Sequence, residues 1–589
     1  MRKKLILNLI NINLKGKKNR IILNHPNSDL IRKNSDNEFF LSDNRLNTVK
    51  HLNYINRIYE KNLTYLARYL NSYHKVNYSK KYWRILIGIW LHRFISLIFD
   101  RWISLNKVSA KYKKIDLDIL KYNYKNFIPY GIEDFNYFIE EDEWNNYIYF
   151  EIIKNSKFKY IKKINKKKIL QFRATKEIYR RLSLRKDNYL SKILDYLYSL
   201  FLKTNNLKYY IFDTYRSNLD EIKINFLLNK RLLLFKSLKS ENLYPKLFLE
   251  KKIFSKKRNL NNEVIKKDFN KLASNLCIRN IPMCYLEFFN KTNEILREYS
   301  LPKKPKVIFS TRGIAGRTTL MDLYTADKAI NGSKIIIAQH GGNYGQHKLH
   351  PSTLHEFKIS NKFLSWGFRN GITTKPLGII RSNLNEIKYN KNNKLILFET
   401  RPRNLYSHIL RIDSGAINGS IYLQKLCEFF LNLKDKEILD QMKVKMSTTD
   451  FGLKDKNFLI RSNNKIKFLN PKLNSKLFYD KAKLVIHTFP GTGHLEVMAS
   501  NVPNILFFLN DMKLMKEDTK KYFLEFKKLG ILHDNSISLI NHLRKISDDP
   551  AKWWFSKKIQ YIRKKYCNNF AILNKNLNSD LVKILKRES

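Results

Sequence analysis

The run KLVIHTFPGTGHLEVMASNVPNILFF, residues 483–508, carries all the parts of one parallel α/β unit. Lys483–His487 is a short apolar strand candidate. A Pro-Gly turn follows, Leu495–Ser500 has helical spacing, Pro503 stops it, and Asn504–Phe508 is a second apolar run. Short, nearly continuous apolar strands alternating with helices indicate a parallel sheet covered on both faces. Ligands of such sheets lie beyond the carboxyl ends of the strands, at the loops that enter helices. Gly491, Thr492, Gly493 and His494 therefore offer backbone N–H groups to an anion at a helix N-terminus. Thr492 is expected to cap that helix. Glu496 has two readings: a carboxylate favoured by the helix dipole, or an acceptor for two ribose hydroxyls.

Outward from this run the pattern repeats. Lys306–Ser310, Lys334–Ala338, Lys394–Phe398 and Lys443–Met446 are further strand candidates, and Ile421–Leu433 is a helical one. The strand Lys334–Ala338 opens directly into Gln339-His340-Gly341-Gly342-Asn343-Tyr344-Gly345. Glycines there let the backbone turn tightly and approach a ligand. His340 at the strand end suits a general base on an attacking hydroxyl. A glycine turn whose histidine bonds a backbone carbonyl fits the same spacing. Arg401 and Arg403 follow the strand at 394–398, and a guanidinium fork suits a pyrophosphate leaving group. A solvated loop is their alternative, and Lys454 and Arg461 are weaker candidates of the same kind.

The first 300 residues read mainly as helices. Ile55, Ile58, Tyr59, Leu63, Leu66 and Leu70 recur at helical spacing, as do Leu190, Ile193, Leu194, Leu197 and Leu200. Tyr209–Phe212 reads as a strand. The apolar window Ile85–Leu105 contains His92, Arg93, Asp100 and Arg101, so it reads as two buried or amphipathic helical segments and not a membrane span. Basic stretches at 162–168 and 251–268 read as exposed loops or solvated helix faces. Asp116-Leu117-Asp118 falls in a helical-looking stretch and reads as a chance DxD. Trp553 and Trp554 read as packing in a C-terminal helix.

The 589 residues hold 112 Lys+Arg against 51 Asp+Glu, a formal charge of +61. Joint enrichment in Lys, Asn, Ile and Tyr is what A+T-rich coding produces, so the charge is read chiefly as compositional. No zinc-finger, RRM or basic-aromatic signature supports a specific nucleic-acid partner. The four cysteines form no metal or disulfide pattern, which fits a reducing cytoplasm. The N-terminus lacks a signal-peptide core. Peripheral attachment to an anionic inner membrane face stays open.

At the two glycine loops the chain resembles known enzymes. GTGHLEVMASNVPNILFF resembles the donor-nucleotide loop of GT-B glycosyltransferases, and QHGG the strand-end His-Gly of polysaccharide transferases. The stretches LARYLNSYHKVNYSKKYWRILIGIWLHRFISLIFDRW (66–102), GSKIIIAQHGGNYG with HEFKISNKFLSWGF, and LGILHDNSISL with AKWWFSKKIQYIRKKYC resemble a family of transferases of bacterial surface-polysaccharide synthesis. Asn361 stands where that family's pattern has Asp.

The resemblance implies an α/β, GT-B-like fold: two Rossmann-like domains with a strongly helical N-terminal elaboration. Residues 1–385 would form the acceptor domain, 386–550 the donor-nucleotide domain, and 551–589 a C-terminal helical segment. It implies a metal-independent transferase with no cofactor, moving a sugar from a nucleotide-activated donor to a polysaccharide or lipid-linked acceptor. His340 would be the base, with Glu356 orienting it or binding an acceptor hydroxyl. Gly341 and Gly342 would line the site, Gly491 to His494 would hold the diphosphate, Glu496 the ribose, and Arg401 or Arg403 the leaving phosphate. A glycerophosphate-type transferase and a nucleotide-sugar epimerase share the scaffold and are the alternatives; a nucleic-acid-binding protein is the remote one.

Overall fold

The computed structural model describes residues 3–7, 20–23, 38–40, 48–156, 158, 161–170, 207–234, 258, 268–314, 316–348, 351–381, 384–401, 419–448, 454–507, 512 and 515–589. The helical pattern at 190–200, nearly all of the basic stretch at 251–268, and Arg403 lie outside the described residues.

Three parallel sheets follow one another along the chain. The first contains β1 (Lys3–Leu7), β2 (Arg20–Leu23), β3 (Glu38–Phe40), β4 (Ile115–Lys121) and β5 (Ile161–Ile169), in the order β3-β2-β1-β4-β5. Asp116 and Asp118 lie in β4, not in a helix, and 162–168 is an edge strand, not a loop. A lysine-rich sequence suits an edge, where charge discourages pairing with another chain.

The second sheet contains β6 (Tyr209–Phe212), β7 (Val307–Ser310), β8 (Lys334–Ala338), β9 (Lys362–Ser365) and β10 (Thr374–Pro376), in the order β10-β9-β8-β7-β6. The third contains β11 (Leu395–Glu399), β12 (Met442–Lys445), β13 (Lys467–Phe468), β14 (Ala482–His487), β15 (Asn504–Phe507) and β16 (Leu532–His533), in the order β13-β12-β11-β14-β15-β16. Every strand pairing in both sheets is parallel. With helices covering the second and third sheets, the architecture is GT-B-like: two Rossmann-like domains behind a helix-rich N-terminal region. In the third sheet the strand order reverses between β11 and β14, the point where a doubly wound sheet opens a crevice for ligand.

The apolar window near residue 90 is one helix, Lys80–Lys111, and not two. Ser79 caps it by accepting the Tyr82 N–H. His92, Asp100 and Arg101 do not break it because they have partners: His92 Nε2 lies 2.9 Å from Asn56 Oδ1, and Arg101 donates to Asn145 at 2.8 Å and pairs with Asp100. Long and apolar enough to cross a membrane, the helix is instead packed inside the protein, with 94% of its most apolar window buried. Trp83, Trp90 and Trp144 lie in that core, which is continuous with one face of the second sheet.

The chain's end returns to the second sheet. The helix Leu577–Arg587 buries Leu577, Leu581 and Leu585 against Tyr209, Val307, Ile336 and Leu364. Just before it, the Ile572 N–H donates to Trp366 O at 2.8 Å and the Ile379 N–H to Ile572 O at 2.8 Å. Trp554 is fully buried, its indole N–H donating to Asn501 at 3.0 Å, as packing requires.

Candidate functional site

The loop after β8 is set by Gln339. Its side-chain amide donates to Gly341 O at 2.7 Å, its Oε1 accepts the Trp366 N–H at 2.8 Å, and its carbonyl accepts the Trp366 indole N–H at 2.9 Å. The turn so fixed leaves the His340 side chain 33% exposed. Tyr344 folds back under it. The tyrosine oxygen lies 3.0 Å from His340 Nδ1 and 3.4 Å from Nε2, and its O–H donates to Glu356 Oε1 at 3.0 Å. Glu356, from the helix Pro351–Ile359, also stands 3.7 Å from His340 Nδ1. Burial pushes the Glu356 carboxyl up to about 8, against the opposing pull of the Tyr344 hydrogen bond.

The loop after β14 starts the helix Thr492–Ala499. Among the described residues no backbone carbonyl accepts the N–H groups of Thr492, Gly493 or His494, so three donors point out of the helix end. Gly491, and not Thr492, occupies the cap position, and no side chain caps the helix. The Thr492 hydroxyl has another partner: it accepts the Gly342 N–H at 2.9 Å.

The two glycine loops are therefore in direct contact. A Cβ on Gly342 would sit 2.5 Å from the Gly491 carbonyl carbon and 2.7 Å from the Thr492 nitrogen. Only glycine permits that approach. A Cβ on Gly341 would come 3.1 Å from Thr492 Oγ1.

Glu496 lies beyond the first turn of its helix, with its side chain only 3% exposed. Arg381 Nη1 lies 2.8 Å and Lys476 Nζ 3.7 Å from its Oε1. Arg381 also stands 5.2 Å over the Tyr215 ring, with Arg312 at 5.6 Å from the same ring. Tyr215 (φ +60°) and Asp213 (φ +49°), just past β6, both hold the left-handed backbone that L-residues avoid, a strain that clusters at ligand-facing loops.

The His494 side chain is fully buried, and burial holds its imidazole well below the usual range, hence neutral. Only its backbone N–H faces the helix end. Arg401, 4% exposed, packs 4.4 Å over the Tyr422 ring. The Arg401 N–H donates to the Tyr422 hydroxyl at 3.1 Å, and that hydroxyl lies 2.6 Å from Thr488 Oγ1, so Arg401 is tied to the second loop. Lys454 precedes the helix Asp455–Ser462 and Arg461 lies in its last turn, 6.0 Å from the Phe458 ring.

Several residues at the site escaped the sequence reading. Glu399 ends β11 and His487 ends β14, with His487 Nε2 3.0 Å from Glu399 Oε2. Burial works against ionisation of Glu399, but contact with His487 outweighs it and holds the carboxyl below its usual range. A Cβ on Gly493 would stand 3.0 Å from Glu399 Oε2, His487 Nε2 and Tyr479 Oη, so this glycine lets the helix end settle on the polar group. Arg381 lies in a connection with no local signal. Tyr344 was visible inside the loop, four residues after His340, but its inward direction depends on the turn. Among the described residues no three His, Cys, Asp or Glu side chains are grouped to hold a metal ion.

A family profile described as "LIC12162 family transferase" matches residues 23–585. No curated protein matches the chain. Among solved structures, Staphylococcus aureus MnaA with UDP aligns at TM-score 0.35 and 10% identity, covering 64% of this chain and 95% of that one. Acinetobacter baumannii MurG aligns at 0.32 and 10%, covering 64% and 99%. A structure of the wall teichoic acid polymerase TagF aligns at 0.30 and 11%, covering 70% and 98%. With nearly its whole length matched by the profile, the chain belongs to the LIC12162 family of transferases.

Proposed function

We propose that the enzyme transfers a sugar from a nucleotide-activated donor to a surface-polysaccharide or lipid-linked acceptor. The observation that carries this reading is the contact of the two loops through Gly342 and Thr492. It sets a partly exposed imidazole beside a helix end with three unclaimed N–H groups. The donor diphosphate would lie on the N–H groups of Thr492, Gly493 and His494, with Arg401 stabilising charge on the leaving phosphate. Glu496 would accept ribose hydroxyls, taking them in place of Arg381. His340 Nε2 would remove the proton from the acceptor hydroxyl as it attacks the anomeric carbon and the bond to the diphosphate oxygen breaks. Donor and acceptor supply every reacting atom, so the reading needs no cofactor. The lipid-linked class of acceptor would also fit a basic enzyme working close to an anionic membrane face.

The test is a nucleotide-sugar panel on the full chain, read by calorimetry, followed by transfer assays with the donor that binds. Glu496→Ala is expected to weaken that donor about tenfold. Unchanged affinity would remove the ribose role, and a nucleotide sugar altered with no acceptor present would make the enzyme an epimerase.

A further inference from the structure

The two glycine loops follow β8 and β14. On one side β8 pairs with β9, and β14 with β15. Gly367, Phe368 and Arg369 follow β9, and the helix Glu517–Lys528 starts beyond β15. At the foot of that helix the Lys516 N–H donates to Gln346 O at 2.9 Å, just past the His340 loop. A cavity of about 580 Å³ opens here, with Gly345 of that loop in its wall. That is room for a small ligand. The cavity lies one strand along from the glycine loops in both sheets, on the side away from the switch point between β11 and β14.

The lining decides which ligand fits. Phe368 and Phe570 are only 6% and 5% exposed, so they floor the cavity and present no open ring face to a planar base. The rest of the wall is largely polar. Asn569, near the end of the helix Lys557–Phe570, donates to Tyr522 Oη at 2.7 Å and to Lys565 O at 3.3 Å, which leaves its Oδ1 as an acceptor. The exposed Asn568 amide beside it both donates and accepts. Arg369, Lys516 and Lys521 bring positive charge, and among the described residues of the wall Asp518 is the only acid. Lys521 and Asp518 stand 3.9 Å apart and largely exposed, a weak pair. Among the described residues neither Lys516 nor Arg369 forms an ion pair. Burial depresses the half-buried Lys516 ammonium, against the attraction of Asp518. An anion beside it would offset that cost.

We infer that this cavity binds an acidic sugar, a ring carrying a phosphate or a carboxylate: Lys516 and Arg369 hold the acidic group, and the Asn568 amide and Asn569 Oδ1 take ring hydroxyls. A guanidinium matches either anion. On the transferase reading above, this sugar belongs to the acceptor, which is therefore an acidic saccharide. The binding site itself stands without that reading.

Glucuronate and glucosyl phosphate are the probes, titrated into the full chain and read by saturation-transfer NMR. Methyl glucoside, inorganic phosphate and uridine monophosphate are run beside them. One of the two acidic sugars should bind with a Kd of about 1 mM or below, and the one that does names the acidic group. Lys516→Gln should weaken it about tenfold. Asn568→Trp, at an exposed position, should fill the cavity and abolish binding. The melting temperature of each variant without ligand is the control for folding. Binding should persist when the nucleotide sugar chosen by the panel is saturating. No acidic sugar bound up to about 10 mM overturns the inference, as does binding that survives both variants. Equal binding of methyl glucoside, inorganic phosphate or uridine monophosphate overturns it too. Displacement of the probe by the nucleotide sugar would put the probe on the donor loop, with the same result. A panel in which no nucleotide sugar binds removes the transferase reading instead, and leaves the cavity result standing.

Discussion

Two histidines in this molecule occupy nearly the same place in their sheets. His340 follows β8 and His487 ends β14, each an interior strand, and each has a carboxyl group within 4 Å. Their surroundings differ in every respect that matters for chemistry. His487 is 1% exposed and lies 3.0 Å from Glu399, whose carboxyl is held below its usual range. His340 is 33% exposed, reaches Glu356 through Tyr344, and Glu356 is raised to about 8. The same two residue types thus give a closed internal pair in one domain and an accessible centre in the other. What separates them is an intervening hydroxyl and a path to solvent.

The sharpest way to break that contrast is to remove each imidazole in turn. His340→Ala should lower turnover by about 10²–10⁴-fold, the range for loss of a general base, with the melting temperature nearly unchanged. His487→Ala should act the other way round. It takes the imidazole at 3.0 Å away from the buried Glu399 carboxyl, which should cost about 1–3 kcal/mol of stability measured by urea unfolding. If His487→Ala lost turnover at full stability, the second pair would belong to the reaction as well.

That contrast also marks how far the sequence could be read. The strands Tyr209–Phe212 and Lys334–Ala338 and the helix following Gly491 were legible because apolar runs and glycine turns are local signals. The DxD of β4 was misread as helical, and the lysine-rich β5 as a loop, because a polar edge strand has no apolar run to announce it. The site divided along the same line. His340 and Gly491 to Gly493 could be named from a strand followed by glycines. Arg381 could not be linked to Glu496, 115 residues away, because nothing local encodes a contact across the cleft. Nor could Thr492 be seen to serve Gly342 in place of its own helix, since the choice depends on how closely two glycines let the loops approach.

The two carboxyl groups sharpen the comparison through pH. Glu356 is raised in the folded state, so between about pH 4.5 and 8 the folded protein holds a proton that the unfolded chain has released. Its contribution is complete below the unfolded value and fades as pH rises through the folded one. Glu399 is lowered, so its contribution is present above the unfolded value and is lost as pH falls through the folded one. Urea midpoints of wild type and variant, compared across pH, separate the two. Glu356→Gln should gain on the wild type as pH rises from 5 to 8, by about 3–5 kcal/mol over the window. Glu399→Gln should be poorest near neutrality and approach the wild type in acid. A Glu356→Gln difference that stays flat with pH would mean the carboxyl is ionised in the folded protein, and the contrast between the pairs would fall.

The smallest expected effect concerns what joins the two regions. The Gly342 N–H has the Thr492 hydroxyl as its partner at 2.9 Å, and the three N–H groups of the helix end do not depend on that hydroxyl. Thr492→Val keeps the shape and removes the acceptor. The loss should be about 1 kcal/mol of stability, the ordinary worth of one such bond. Turnover should fall less than tenfold, because both the imidazole and the backbone donors remain. A loss as large as that of His340→Ala would show that the hydroxyl does more than tether. Thr492 would then belong with the groups that stabilise charge on the departing phosphate, and the division of labour between an acid-base loop and an anion-holding loop would have to be redrawn with the threonine on both sides of it.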